Sequence, residues 1–412
     1  MSWHIWPGIM AAMDKRHDVL IVGGGLVGAS LAIALDRSGL DVGMVEATPG
    51  GSLPAVFDQR NLSFAAATVN ALAALGVMAH LRGAVAPIRR IHVSRAGDFG
   101  RVRLEAADYG REAFGQVVVA RDFGQALELT LAALPRLTRY RPARFVGLAD
   151  AQGPGVRSLR VADAEGEHRV SARLLVAADG THSALRQALG IPAETFDYGQ
   201  TLVVARVRAA QGPDATAYER LGDHGPTALL PRSDRHFGVV HGVATGQAQA
   251  VAALDEAAWL ARLQAAFGWR VGRFLASGER SLYPTLRLTA HRLTAPRAVL
   301  LGNAAQTLHP IGAQGFNLGL RDALTLVESI QRHGADPGAD AVLEDHAARR
   351  HEDRTRTLAF SDGLARLSAH PSPLMRPLRS LGLLATARVP SLQSFLVGGA
   401  MGFRGDVPAL CR

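Results

Sequence analysis

The run Asp18-Val19-Leu20-Ile21-Val22 passes without a break into Gly23-Gly24-Gly25-Leu26-Val27-Gly28, and no other segment limits the fold as much. A short apolar run rich in β-branched residues suits a central parallel strand buried on both faces. The stretch Ala29 to Ser38 then reads as a helix stopped at Gly39, and Asp41 to Val45 as a second strand ending on Glu46. Gly23 permits the tight turn, Gly25 lets backbone approach a pyrophosphate, and Gly28 lets the helix lie close on the strand. Phosphates would meet the N–H groups around Leu26 and Val27 and the positive end of the helix dipole. Glu46, 18 residues beyond Gly28, is placed to accept hydrogen bonds from ribose hydroxyls, and its charge disfavours a 2′-phosphate. A glycine cluster alone often makes only a turn. Here strand, helix and acid agree on a βαβ dinucleotide site, without choosing between FAD and NAD.

At 412 residues the chain exceeds one compact core, which predicts two interwoven domains and a tail. The net charge of +9 invites a nucleic-acid reading, but the sequence holds one lysine, Lys15, and its arginines are scattered. No basic run interleaved with aromatics exists, so nucleic-acid binding is excluded. The single cysteine, Cys411, rules out an internal disulfide, CxxC chemistry and a cysteine-based metal site, and the histidines show no HExxH pairing, so no metal is expected. Residues 1–13 are read as disordered or as a mis-assigned start. They carry Trp3, Ile5, Trp6 and Ile9, but lack a basic signal-peptide region and are too short to span a bilayer.

Three later segments point towards FAD. In Phe57-Asp58-Gln59-Arg60, followed by an apolar helical stretch to Gly76, Arg60 can reach back to a pyrophosphate or be a solvated surface arginine. The strand Arg173 to Ala177 breaks at Asp179-Gly180 before a helix. That puts an acid over the crevice where open α/β sheets bind ligands, and it can also act as an N-cap. The third segment runs from Arg297 to Asp322. A strand ends at Gly302, a polar turn follows, and a helix begins near Gly315. Gly302-Asn303 can bring backbone and an amide to ribityl hydroxyls. The amides of Gly315, Phe316 and Asn317 can face the N1–C2=O edge of an isoalloxazine, where a helix dipole favours negative charge. Pro310 would form a rigid wall beside the flavin.

With these segments in this order, the chain resembles the para-hydroxybenzoate-hydroxylase-like flavin monooxygenases, which carry a GxGxxG, a DG and a GD motif. Within them it is similar to the ubiquinone-biosynthesis hydroxylases, from Asp14 to the end. The likeness lies in Gly302-Asn303-Ala304-Ala305-Gln306-Thr307-Leu308-His309-Pro310, Gln314-Gly315-Phe316-Asn317-Leu318-Gly319-Leu320-Arg321-Asp322-Ala323, Tyr198-Gly199-Gln200-Thr201, Tyr283-Pro284-Thr285-Leu286 and Met401-Gly402-Phe403. Asn303 and Gln306, where many relatives have Asp and His, point to the branch that converts a 2-polyprenyl-6-methoxyphenol to the 1,4-benzoquinol. The resemblance implies a flavin-contacting role for Arg121. The Gln expected three residues later is Gly124 here, with Gln125 displaced by one and named as the candidate. The usual Ala-Gly pair is exchanged to Gly312-Ala313, which is expected to preserve the turn.

The implied fold is α/β: a Rossmann-like FAD-binding domain (14–75, 111–190 and 284–355) interwoven with an antiparallel β-sheet substrate domain (76–110 and 191–283), plus a helical C-terminal region (356–412). The implied chemistry is capture of O₂ by reduced FAD as a C4a-hydroperoxide, which passes one oxygen to a phenol ring. No second nucleotide site is visible, so NAD(P)H as reductant would bind transiently, and a separate electron donor is the alternative. The alternatives are another ring position or aromatic substrate, a flavin reductase, or a structural subunit of a quinone-synthesis complex. His224, His236, His241 and Tyr283 are candidates to assist phenol deprotonation, with His309 favoured by position; Pro310 is named with it at the catalytic site, as the wall beside the flavin. From Arg366 to Arg412 there are six arginines and one acid, Asp406, among the apolar stretches Leu381 to Ala385 and Phe395 to Met401. Pro371, Pro373, Pro377 and Pro390 break this region into short helices. It reads either as a surface touching anionic lipid or a partner, or as a cap on the FAD domain. The expected setting is the cytoplasm, with peripheral contact at the inner membrane face of a bacterium.

Overall fold

The computed structural model describes residues 15–412 apart from 84, 151, 152, 371, 373 and 374. The readings of residues 1–13, and of Pro371 and Pro373 as helix breaks, lie outside the described residues. The strand Lys15–Val22 is central, with Val19, Leu20 and Ile21 wholly buried. It pairs in parallel with Gly166–Ala177 on one side and Val42–Val45 on the other, and Ala298–Leu300 and Leu137–Tyr140 extend the two flanks. The chain leaves the central strand to one side and returns on the other. That is a topological switch point, where the carboxyl ends of the strands splay into a ligand crevice. The first helix, Leu26–Asp36, lies against the long helix Gly315–His333 through Val27. A Cβ added at Gly302 or Gly319 would stand 2.9 or 2.7 Å from Val27 Cγ2, so both glycines are what let the two helices and the turn close up.

A second sheet of nine strands contains Ala193–Ala209, Phe237–Ala244, Thr227–Pro231, Thr216–Leu221, Arg90–Arg95 and Arg101–Glu105 in that spatial order. Its pairings are antiparallel except for Thr216–Leu221 with Arg90–Arg95, which is parallel. One face carries Val203, Val207, Leu229, Phe237 and Val239 against Trp259, Leu263 and Phe267 of the helix Glu256–Phe267. The other face turns to the FAD-binding layer, where Asn61 presses on Gly238 so closely that a Cβ there would meet Asn61 Nδ2 at 1.3 Å.

The structure redraws several expected limits. A strand, Asn61–Ala65, precedes the helix Ala66–Ala74 where continuous helix was expected. It joins Gly115–Val119 and Ala86–Ile88 in a separate three-stranded sheet, so only part of 76–110 belongs to the large sheet. The limit at 283/284 falls inside the strand Ser281–Ala290, and that at 355/356 inside the helix Asp340–Ala369. The remaining tail helices are Met375–Arg388, with Pro377 in its first turn, and Pro390–Ala400.

Candidate active site

Register aligns the strand ends: Val22 is opposite both Ala177 and Val45, and Ala177 is opposite Leu300. The next residues along each strand, Gly23 to Gly25, Glu46, Asp179-Gly180 and Gly302-Asn303, therefore form one rim. Gly23 has φ +105°, and a Cβ there would lie 2.4 Å from the Ala178 carbonyl oxygen. A Cβ on Gly28 would lie 1.9 Å from the Gly23 carbonyl oxygen. Gly25 differs, since its nearest neighbour would be Val56 Cγ1 at 3.8 Å. Internal packing thus compels Gly23 and Gly28, whereas Gly25 leaves space at the mouth of the helix that carries Leu26 and Val27. Glu46 accepts from the Gly24 amide at 2.9 Å and the Thr48 amide at 2.7 Å. Its carboxylate braces the turn and keeps lone pairs for other donors.

Asp179 accepts from Ser183 Oγ at 2.5 Å and the Leu185 amide at 3.1 Å, and Ser183 caps the Arg186 amide at 2.9 Å. The N-cap of that helix is therefore Ser183 and not Asp179, which only braces it, and Gly180 beside Asp179, at φ +88°, has nothing within 4 Å of a Cβ position.

In the third segment Asn303 and Pro310 are exposed, while Ala304, Ala305, Gln306, Leu308 and His309 between them are buried. The helix Gly315–His333 makes its first ladder bond from the Leu318 amide to the Gln314 carbonyl at 2.9 Å. The amides of Gly315, Phe316 and Asn317 precede that bond at the helix mouth, and no atom lies within 4 Å of a Cβ position on Gly315. Asn317 fastens the turn through its side chain, accepting from the Ala65 amide at 2.9 Å and donating to the Ser63 and Ala313 carbonyls at 3.0 and 2.7 Å. The Phe316 ring packs on Phe64 and Phe123, each at 5.4 Å between centroids. His309 accepts from the Ile311 amide at Nδ1 and donates from Nε2 to Gln200 Oε1, both at 3.2 Å. Burial pushes its pKa down to about 4, so it is a neutral strut of the turn. Gly312 and Ala313 both adopt left-handed φ, 72° and 52°. The order Gly312-Ala313 therefore places an alanine where glycine is better suited.

Arg60 forms a pair with Asp58 at 2.8 Å and lies 4.3 Å over the Tyr283 ring, and Tyr283 donates to Asp58. Burial opposes the Asp58 charge, but the bonds from Arg60 and Tyr283 hold its pKa below the usual range. This cluster links the FAD-binding layer to the substrate sheet, a role the sequence did not disclose. Arg121 and Gln125 are exposed on the helix Ala120–Ala132. A Cβ on Gly124 would lie 2.6 Å from the Phe57 ring, so no glutamine fits at that position while Phe57 is there. His241 is buried against Thr227 and Arg262, and His236 bonds the Asp234 carbonyl. Also missed was the role of Gln306, which donates to Asp322 and accepts from Arg354, at 2.7 and 2.8 Å. Arg321-Asp322, within the run Gln314 to Ala323, was the available signal.

The rim, the open space at Gly25 and Gly315, and the amides at two helix mouths fit FAD laid across the switch point. Among the described residues no cluster suited to a metal ion occurs. Fold and site together define an FAD-dependent aromatic monooxygenase. An FAD-binding-domain family matches residues 16–361, and the chain belongs to that family. It is 34% identical to the ubiquinone hydroxylase UbiL of Rhodospirillum rubrum over 96% of this chain and 91% of that one. It is 28% identical to the 3-demethoxyubiquinol 3-hydroxylase of Escherichia coli, over 94% and 99% of the two chains. The p-nitrophenol 4-monooxygenase PnpA of Pseudomonas putida has the same fold, with a TM-score of 0.77 at 17% identity, covering 95% of this chain and 100% of that one.

Proposed function

We propose that this protein hydroxylates the ring of a polyprenylated phenol in ubiquinone biosynthesis, converting 2-polyprenyl-6-methoxyphenol to 2-polyprenyl-6-methoxy-1,4-benzoquinol. The observation that carries this reading is the near full-length likeness to relatives named as ubiquinone hydroxylases. Asn303 and Gln306 favour the 1,4-benzoquinol branch. The name of the Escherichia coli relative favours a second reading, hydroxylation at another position of the same ring.

Bound FAD supplies the electron transfer from NAD(P)H to O₂ and the delivery of one oxygen atom to the ring. The residues assigned to hold it are Gly23, Gly25, Leu26, Val27, Gly28 and Glu46 around the pyrophosphate and ribose. Arg60, Arg121, Gln125, Asp179, Gly180, Gly302 and Asn303 would lie along the cofactor, and Gly315, Phe316 and Asn317 would stand at the flavin edge. The Gly315 to Asn317 amides would stabilise negative charge gathered at that edge on reduction, and exposed Pro310 would bound the ring. NAD(P)H would visit transiently.

The tail supports peripheral membrane contact. The helices Met375–Arg388 and Pro390–Ala400 contain no acid, and Leu378, Leu381 and Phe395 are more than half exposed. The same region also caps the FAD layer, since Gln314 donates to the Ala400 carbonyl and the Ala67 amide to that of Met401. No described helix is long and apolar enough to cross a membrane.

The test is the visible spectrum of purified protein before and after anaerobic addition of NAD(P)H with a short-chain 6-methoxy-2-prenylphenol. Bound flavin near 1:1 that bleaches, then yields the 1,4-quinol in air, is expected. A product oxygenated at another position selects the second reading, and bleaching without product overturns both.

A further inference from the structure

Across the inner face of the large sheet, the pairing register builds one continuous row: Val204, Val240, Ala228, Glu219, Val93 and Val102. Five members are apolar. The sixth is a carboxylic acid in the middle strand of the row, where an unpartnered charge is costly. On its own strand Glu219 is flanked by two residues of the same face that reach different layers. Ala217 packs with Val397 and Met401 of the tail, and Leu221 with Ile311, the residue after Pro310. Glu219 thus stands between the flavin turn and the tail. Val204, Val240, Val93 and Glu219 keep partial solvent access although they face inward, so the row borders open space.

Among the described residues no hydrogen bond or ion pair reaches the Glu219 carboxyl. The charged and titratable groups on this face of the surrounding elements are engaged elsewhere, while His92, Arg101, Arg103 and Arg220 fall on the opposite face by register. Arg95 is paired with Asp223 and the Ser368 carbonyl, Arg232 with Asp234 and Asn61, Tyr198 with Asp362, Tyr109 with Gln393, and His309 with Gln200. Asp58, on the FAD side, is taken by Arg60 and Tyr283. An acid with no protein partner, in an apolar row opposite the turn that would bear the flavin, has the placement of a group kept for a ligand.

We infer that Glu219 receives the hydroxyl of the phenol substrate and acts as its base. This rests on the function proposed above and names the residue which that site otherwise lacks. In the step, the phenol O–H bond breaks, the proton passes to a Glu219 oxygen, and the electron pair stays on the phenol oxygen. The phenolate so formed directs electron density to the ring carbon para to it, and no redox change occurs at Glu219. Burial raises the Glu219 pKa to about 7, close to the working range of a general base. The tail cluster at Ala217 and the valines on either side suit a ring whose other substituents are apolar.

Glu219→Gln is isosteric, and retention of 1:1 flavin reports that it folds; Glu219→Asp keeps the acid on a shorter arm. The first measurement is a pH titration of 4-nitrophenol bound to the oxidised holoenzyme, followed by its phenolate absorbance. Ligand and Glu219 sharing one proton titrate as a coupled pair, so the wild type should show two steps and Glu219→Gln one. Identical curves, or no binding of the phenol by the wild type, overturn the assignment. The second is turnover of the prenylated phenol. Glu219→Gln should lose roughly 10²-fold or more near neutral pH and recover at high pH where the phenol ionises unaided, with Glu219→Asp in between. Wild-type rates and an unchanged pH profile in Glu219→Gln overturn it. A wild type that binds the phenol in two steps but forms no quinol counts against the proposed function and leaves Glu219 supported.

Discussion

Arg350 donates through Nη2 to Asp353 at 2.6 Å, one turn away on the same helix, and neither side chain is more than 5% exposed. Arg350 also bonds Asp322, and Asp353 also takes Arg321, so the two long helices are joined by alternating charges with Gln306 of the turn at one end. Burial opposes the Asp353 charge, but Arg321 and Arg350 override it and hold the pKa well below the usual carboxylate range. A depressed carboxylate contributes stability that is present above its unfolded pKa and lost as pH falls towards the folded one. Asp353→Asn should therefore cost about 3–5 kcal/mol at pH 7 by urea denaturation, because it strands buried guanidiniums. The gap from wild type should narrow below about pH 4, where unfolded carboxylates take up protons. A gap constant down to pH 3 would show that the pair is not ionised.

Ala313 holds φ 52° immediately before the helix at the flavin turn. A left-handed L-residue costs roughly 1–2 kcal/mol, and glycine there loses part of that gain to its freer unfolded chain. Ala313→Gly should stabilise the holoprotein by about 0.5–1 kcal/mol in chemical denaturation, with flavin still bound. Destabilisation would mean that the Ala313 methyl packs in a way its backbone strain does not offset.

His309 is buried with its pKa pushed down to about 4, and burial does the same to His241. Here the unfolded chain binds more protons between about pH 4 and the ordinary histidine value near 6.5. Stability should accordingly rise with pH across that window and level off above it, with a slope of up to about 1.4 kcal/mol per pH unit for each such group. His309→Gln should remove one such contribution, which parallel urea titrations at pH 4.5 and 7.5 would measure. Equal slopes in the two proteins would place the His309 proton uptake elsewhere.

The glycine turn, the acid after the second strand and the helix after Gln314 were legible because each rests on local chemistry: φ, a dipole, or an alternation period. What the sequence hid depends on register. Glu219, between Tyr218 and Arg220, reads as a polar strand position until pairing with Ala228 and Val93 puts it in an apolar row. Asp58 and Tyr283 are 225 residues apart, and only the docking of the two layers joins them. The strand Asn61–Ala65 was hidden because its polar–apolar alternation, Asn61-Leu62-Ser63-Phe64, is only one short run and passes straight into a good helix former. The domain limits missed for a related reason: Asp340–Ala369 spans both the FAD layer and the tail, and a continuous helix carries no mark where its partner changes.

Leu378 and Leu381 are 59% and 54% exposed on Met375–Arg388, and Phe99, beside that helix, is 71% exposed. Arg376 and Arg388 flank them and no acid lies on the helix. An apolar face edged only by positive charge suits the surface of an anionic bilayer, which also concentrates a polyprenyl chain. The holoprotein should co-sediment with vesicles containing anionic lipid, less so as salt rises, because screening weakens the arginine attraction. Leu378→Asp with Leu381→Asp should abolish co-sedimentation while flavin content and turnover of a short-chain phenol stay unchanged, since neither residue belongs to the rim. Wild-type protein left in the supernatant at low salt would end the lipid reading and leave these helices as a cap on the FAD layer.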